Sequence, residues 1–520
     1  MSELKHVVII GGGTAGWITA GILAADHRAF ADDGLEITLV ESPNIPSIGV
    51  GEGTWPTLRD TLQRIGISEA EFLSVCSASF KQGSRFDGWV DGGANDTYYH
   101  PFDAPPGEDD FDPVSLWRAS GDTPFADAVS SQAALCRNGR APKQAQTPPY
   151  AAVANYAYHL DASALAALLT EHCVKRLGVK LIRDDVVDTA LSADGSVDFV
   201  ETREHGRIGG QLFVDCTGQQ ALLIEKVMGA QATDVSDVLF NDRAWATRVP
   251  YTDPQAEIAS QTNSTAMPAG WVWDIALQNR RGVGYVFSSR HISEDAAQEQ
   301  FLAYLEGASA GAKIDVDGLR LLKFRSGYRE TPWVRNVVAI GMSQGFVEPL
   351  EASAIVMVEL SAAMLSDTLP PRIAQMASTA ARFNSRFAYR WARIVDFLKL
   401  HYVLSKRMEP FWSDHRDEVT WPKRLRELMQ RWKDMPPSRE DFVQSQEIFP
   451  AASYAYVLYG MGFPVPDRPH LRRKDSPERA QRRLSEIAER TEKMLGGLPS
   501  NRDLLNQVCG HKLVSEIGLR

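Results

Sequence analysis

The chain has 520 residues, 44% hydrophobic and 23% charged, ordinary globular material long enough for two or three domain cores or one large interleaved enzyme core. Its net charge of −11 excludes a general nucleic-acid binder, because no surplus of Lys and Arg is present to displace counterions from phosphates. The five cysteines, Cys76, Cys136, Cys173, Cys216 and Cys509, form no C-x-x-C pair, so neither a zinc site nor a disulfide framework is expected, and the cytoplasm is the expected compartment.

Residues 5–10 (Lys-His-Val-Val-Ile-Ile) form a β-branched run expected to be a strand, and Gly11 to Gly16 a turn into a helix from Ala15 to Ala25. The uncharged stretch Val7 to Ala25 is not a membrane span, since Gly11, Gly12 and Gly13 sit inside it. Leu35 to Val40 reads as a second parallel strand ending at Glu41, which completes a βαβ unit. Gly92 to Pro149 is rich in Pro, Gly and Asp and is expected to be loops and short pieces. His159 to Leu177 reads as an amphipathic helix feeding a strand around Val179 to Ile182. Strand patterning then continues to Gln344, and from Ser353 the pattern turns helical, most clearly over Ile373 to Leu404 and Pro422 to Met435. Prolines at 464, 466, 469 and 477 mark a loop before a charged terminal helix pair. The acidic residues Glu108, Asp109, Asp110 and Asp112 lie among Pro and Gly, and Arg472, Arg473 and Lys474 adjoin Asp475 and Glu478. Both groups read as solvated segments, and no metal is assigned.

Gly11-Gly-Gly13-Thr14-Ala15-Gly16 satisfies G-x-G-x-x-G between a strand and a helix. The first glycine permits the tight turn, the second lets the backbone approach a pyrophosphate, and the third lets helix and strand pack closely. The helix start then faces the phosphates. Glu41 is placed to accept hydrogen bonds from a ribose, which favours FAD or NAD over NADP. Val214 to Gly218 and Asn336 to Gly341 are two further strands ending in small residues, where backbone approaches a ligand closely. Two such returns resemble flavoprotein monooxygenases of the hydroxylase type.

The resemblance then sharpens. Gly11 to Trp17, Gly49-Val-Gly-Glu-Gly-Thr54, Ser79-Phe-Lys-Gln-Gly83, Gly270-Trp-Val-Trp-Asp-Ile275 and Phe346-Val-Glu-Pro-Leu-Glu351 resemble, in order, the motifs of the flavin-dependent tryptophan halogenases. That resemblance implies an α/β fold: a flavoprotein-monooxygenase-like FAD-binding domain with an inserted substrate-side sheet over residues 1–350, and a mainly helical region over 351–520 that completes the substrate pocket. It implies FAD used as FADH2 and supplied by a separate flavin reductase, with chloride or bromide as the halide. Hypohalous acid formed at the flavin would pass to a lysine beside a small aromatic substrate. Lys81 matches that lysine, where an amine can hydrogen-bond the oxidant or form a haloamine. Glu351 matches the active-site glutamate, placed to orient the oxidant or to take the ring proton; Glu348 is a less specific match.

The same match assigns Gly11, Gly13, Thr14, Ala15, Gly16, Glu41, Gly49, Val50, Gly341 and Ile355 to the cofactor. Ser353 and Ala354 fall in the halide turn, where the family's Ser-Thr-Gly is replaced by Ala352-Ser353-Ala354. Trp271 and Trp273 are markers and walls, and Ala276 stands where the pattern has Pro. His100, Pro101 and Phe102 match the indole-stacking place, and Tyr454 to Gly462 resembles the C-terminal pocket segment, with Tyr454 assigned to the substrate. No equivalent of the loop that grips the amino and carboxylate groups of free tryptophan is recognised, so indole or a derivative lacking those groups fits at least as well as tryptophan. Neither a nucleic-acid nor a membrane partner is expected, and a homodimer is compatible with the sequence. The rival readings are an aromatic hydroxylase using the same flavin chemistry and a flavin-binding module without catalysis.

Overall fold

The computed structural model describes residues 3–45, 51–105, 113–308, 311, 316, 318–465 and 476–517, with side chains to residue 510. Gly49, Val50, the acidic group at 108–112 and the basic group at 472–474 lie outside the described residues. The chain divides into two units that interleave in sequence: Met1–Ser77, Leu160–Val235 and Arg325–Ala392 in the first, Ala78–His159, Ser236–Phe324 and Arg393–Arg520 in the second.

The first unit is built on a six-stranded sheet. Its order is Trp333–Val334, Val337–Ala339, Leu212–Asp215, His6–Ile10, Glu36–Glu41 and Lys180–Arg183, parallel except for the Trp333–Val334 edge. Val7, Val8, Ile9 and Ile10 are all buried, as expected where a parallel sheet is covered on both faces. On one face, Val8, Ile10, Val40 and Phe213 pack against Val197, Val200 and Ile208 of an antiparallel three-stranded sheet. The helix Thr14–Asp26 packs against the helices Ala162–Arg176 and Ser353–Asp367.

The helix expected from His159 begins only at Ala162, because Ala157–Asp161 is a strand. Asp161 ends it by capping the helix, its carboxylate accepting from the backbone N–H groups of Ser163 and Ala164 at 3.0 and 3.2 Å. Such a cap is worth about 1 kcal/mol. Periodicity does not show it, since Tyr158 and Leu160 suit either element.

The second unit carries a seven-stranded sheet, ordered Arg320–Lys323, Arg243–Pro250, Arg280–Phe287, Gly270–Ala276, Thr262–Met267, Gly83–Asp87 and Thr97–Pro101. Val272, Val283, Tyr285 and Phe287 bury one face against Ala297, Phe301 and Leu305 of the helix Glu294–Ala308. Trp271 packs with Trp89 and Trp273, and Trp89 in turn meets Tyr402 and Trp412. Trp273 lies so flat on its neighbouring strand that a Cβ on Gly284 would sit 2.2 Å from its ring. The paired tryptophans are therefore core residues of this unit. The region 113–137, expected as short pieces, forms three helices of five to seven residues.

Candidate functional site

In the first unit the glycine turn has the geometry of a nucleotide cradle. Gly11 has φ +111°, and a Cβ there would lie 2.3 Å from the Cys216 carbonyl oxygen; one on Gly16 would lie 1.9 Å from the Gly11 oxygen. Those two glycines serve the protein's own packing. Gly13 differs: it is exposed, caps the helix Thr14–Asp26, and a Cβ added there would meet nothing within 4 Å. The open space lies where backbone N–H groups at the helix start face outward beside Thr14 and Ala15.

Glu41 borders the same turn, since a Cβ on Gly12 would collide with its side chain at 2.4 Å. Its Oε2 is buried without a hydrogen-bond partner, although Arg183 lies at 4.0 Å. Burial pushes the carboxyl above its ordinary range, and the Arg183 charge partly offsets this. A ribose diol would supply the missing donors. Gly341, with φ +81°, comes so close that a Cβ would lie 2.7 Å from that of Ala15. These residues fit the adenosine diphosphate part of FAD.

The turn at Glu351 has unusual backbone. Glu351 and Ala352 are consecutive non-glycine residues in the left-handed region, with φ of 62° and 55°. Each costs on the order of 1–3 kcal/mol, and such strain clusters at functional sites. The Trp55 indole N–H donates to the Glu351 carbonyl at 2.7 Å and holds the turn. It delivers the chain into the helix Ser353–Asp367, whose first residues are the buried Ser353 and the exposed Ala354. Their N–H groups have no partner within the helix, which suits a small anion. Ile355 follows, buried, and Glu348 is fully buried before the turn.

In the second unit, Lys81 ends the short strand Ser79–Lys81, which pairs antiparallel with the strand Ala157–Asp161 as Ser79↔His159, Phe80↔Tyr158 and Lys81↔Ala157. Only 1% of Lys81 is exposed, and its Nζ lies 5.3 Å from the centre of the Phe102 ring. The Ser79 hydroxyl donates to the Ala276 carbonyl at 2.5 Å, fixing this strand to the sheet of the paired tryptophans. His159 is held neutral, its pKa pushed well below the usual histidine range by burial and then by the Lys81 charge. Lys81 is thus a buried amine beside an aromatic ring and a neutral imidazole, shut off from bulk water.

Residues far apart in the chain hold the backbone of Phe102 and Asp103. The Phe102 N–H donates to the Gln82 carbonyl at 3.1 Å, the Asn155 amide donates to the Phe102 carbonyl at 3.2 Å, and the Asp103 N–H donates to Gln132 Oε1 at 2.7 Å. His100 is buried, with ring centres of Phe397 and Tyr456 at 5.7 and 5.9 Å, and Pro101 is paired with Gly83. The structure thus groups Lys81, Phe102, His100 and Pro101.

Tyr454 lies one layer further back, fully buried against Phe397, Trp432 and Phe442. Tyr456 is the residue of that helix, Ala451–Gly460, that meets His100, and its hydroxyl donates to the Asp103 carbonyl at 2.9 Å. Residues two apart on a helix point to nearly opposite sides, so the segment was readable but not its inward face. Phe397 sits on the helix Met376–Val403 and was signalled only by periodicity. Among the described residues, no group of three or more His, Cys, Asp or Glu could hold a metal, and no helix is long and apolar enough to cross a membrane.

Comparison with known proteins gives a consistent result. The family profile described as tryptophan halogenase matches residues 6–476. The tryptophan 6-halogenase SttH of Streptomyces toxytricini is 34% identical over 95% of this chain and 96% of its own, and the tryptophan 7-halogenase RebH of Lentzea aerocolonigenes 31% over 98% and 99%. Among solved structures, a tryptophan halogenase from Shewanella frigidimarina superposes with a TM-score of 0.93 at 44% identity, covering 98% of each chain. The flavin-dependent halogenase BrvH from Brevundimonas superposes at 0.83 with 32% identity, covering 97% and 99%.

Proposed function

The chain belongs to the tryptophan halogenase family and is a flavin-dependent halogenase of tryptophan-like aromatics, and on that premise we propose how its residues divide the work. FAD, when bound reduced, supplies the two electrons that let oxygen oxidise a halide. Gly11 to Gly16 and Gly341 hold its pyrophosphate side, and Glu41 its ribose. Ser353 and Ala354 present backbone N–H groups to chloride or bromide. Lys81 takes up the hypohalous acid by hydrogen bond or as a haloamine and keeps it off bulk water. His100 and Phe102, with Tyr456 behind them, seat the indole ring. A separate flavin reductase supplies the reduced cofactor. The observation that carries this division is Lys81, a fully buried amine set against Phe102.

Glu351 is assigned the proton chemistry: it orients the oxidant or accepts the proton lost as the halogenated ring regains aromaticity. Glu351→Gln keeps the shape of the strained turn and removes the base. The expected result is a fall in kcat for halogenation of roughly a hundredfold, with oxygen still consumed by reduced FAD. The readout is halogenated product by mass spectrometry beside oxygen uptake. Product formation at the parent rate would remove Glu351 from the reaction.

A further inference from the structure

Among the apolar residues of the helix Ser353–Asp367 stands one acid, Glu359, only 3% exposed. Its carboxyl is reached by two hydroxyls of the helix Thr57–Ile65: Thr61 donates to Oε1 at 2.5 Å and Thr57 to Oε2 at 3.2 Å. The cations of that helix are engaged elsewhere. Arg64 is bound to Asp26 and Asp367, both at 2.6 Å, and the Arg59 Nε donates to the Pro56 carbonyl at 3.2 Å. The other elements packed on this helix bring no cation either: Thr14–Asp26 contributes Asp26, Gly341–Ser343 no titratable group, and Leu350–Ala352 the acid Glu351. Burial first of all, with a smaller push from the Asp60 charge, lifts the Glu359 pKa from its ordinary 4.5 to about 8, against the lowering by Thr61 and Thr57. At neutral pH the group is therefore an uncharged acid. A hydroxyl can donate or accept, so both threonines serve that form as well.

The same two helices are fastened a second time at the strained turn. The Trp55 indole donates to the Glu351 carbonyl at 2.7 Å, and the Trp55 carbonyl accepts from the Leu58 N–H at 3.1 Å, which joins Trp55 to the helix Thr57–Ile65. Glu351 and Glu359 lie about two helical turns apart in the chain, so the two ties bracket Ala352, Ser353 and Ala354. A left-handed turn of non-glycine residues persists only while its surroundings hold it. We propose that Glu359, as a neutral carboxylic acid, is a positioning residue that braces the turn presenting Glu351 and the first N–H groups of the helix, and that its ionisation sets the alkaline limit of halogenation. This rests on the reading of that turn as the halide and proton site. Once ionised, the carboxylate is buried with no cation beside it, a state relieved by drawing the helices apart and admitting water. The turn then loses its brace.

The test compares FAD-loaded wild type, Glu359→Gln and Glu359→Leu, each confirmed folded by far-UV circular dichroism at every pH used. Glutamine keeps the threonine bonds and has no proton to lose. Thermal melts read the brace without turnover. Between about pH 4.5 and about pH 8 the folded wild type holds a proton that the unfolded chain has lost, so its Tm should fall with rising pH more steeply than that of Glu359→Gln. Bromide affinity by calorimetry, and kcat and bromide KM with regenerated reduced FAD and indole, read the consequence. From ~pH 7 to ~pH 9.5 wild type should lose at least about tenfold in kcat/KM for bromide and Glu359→Gln less than about threefold, while Glu359→Leu, without the bonds, should already be impaired at neutral pH. An acid that only supports the fold would shift the melts and leave the pH profiles of wild type and Glu359→Gln parallel, and that result overturns the proposal. An alkaline loss confined to kcat, absent from Glu359→Gln and with bromide affinity flat, supports the brace and refutes Ser353 and Ala354 as the halide site.

Discussion

Replacing Lys81 with alanine is expected to cut halogenated product at least about a thousandfold while reduced FAD is still reoxidised by oxygen. The size of the effect follows from what the amine does: it turns a diffusing oxidant into one held next to the ring, and positioning of this kind is worth many orders of magnitude in effective concentration. Oxidising equivalents should then leave as peroxide or free hypohalous acid. Lys81 is fully buried, so alanine also leaves a cavity that could cost a few kcal/mol. Lys81→Met keeps the bulk without the nitrogen and should fold like the parent by far-UV circular dichroism while losing product equally. Lys81→Arg should fail too, because guanidinium stays protonated and does not readily form a haloamine. Near-normal product from a folded Lys81→Met would end the assigned role.

The second large effect is expected at Gly13. The space at its missing Cβ is empty of protein, and φ there is −77°, so a Cβ there meets neither a clash nor backbone strain in the free protein. Gly13→Val should therefore fold, yet bind FAD roughly a hundredfold or more weakly, equivalent to about 2.7 kcal/mol, because its side chain occupies the pyrophosphate approach. Gly16→Val is the contrasting variant: its Cβ would lie 1.9 Å from the Gly11 oxygen, and loss of folded protein is expected. Calorimetric titration with FAD, alongside thermal melts, separates the two. Unchanged FAD affinity in folded Gly13→Val would show that the nucleotide lies elsewhere.

The contrast between these glycines shows what the sequence could and could not convey. The βαβ unit was legible to within a residue or two at either end, because its strands are unbroken β-branched runs and its turn is dictated by glycine. That Gly13 faces open space while Gly11 and Gly16 face backbone depends on the fold and is not written in the motif. So did the reason for glycine at 12, which is the Glu41 side chain. In the second unit the motif around Lys81 was recognisable, but the groups that hold the backbone of Phe102 and Asp103 come from residues 82, 132 and 155, far apart in the chain and none of them marked by its residue type. Glu351 and Ala352 carry no sequence sign of their left-handed conformation, since neither is glycine or asparagine. Strand Ala157–Asp161 was hidden because its apolar spacing continues into the next helix without a break, and only the cap at Asp161 separates them.

The decisive property is what the wild-type protein does to an indole. Purified protein is supplied with regenerated reduced FAD, air and a panel of indoles, in parallel with bromide, with chloride and without halide, and the products are read by mass spectrometry. The buried Lys81 beside Phe102 predicts a ring that gains one halogen in place of hydrogen, only when halide is present. A ring that gains oxygen at the same rate with and without halide would contradict it and identify a hydroxylase instead.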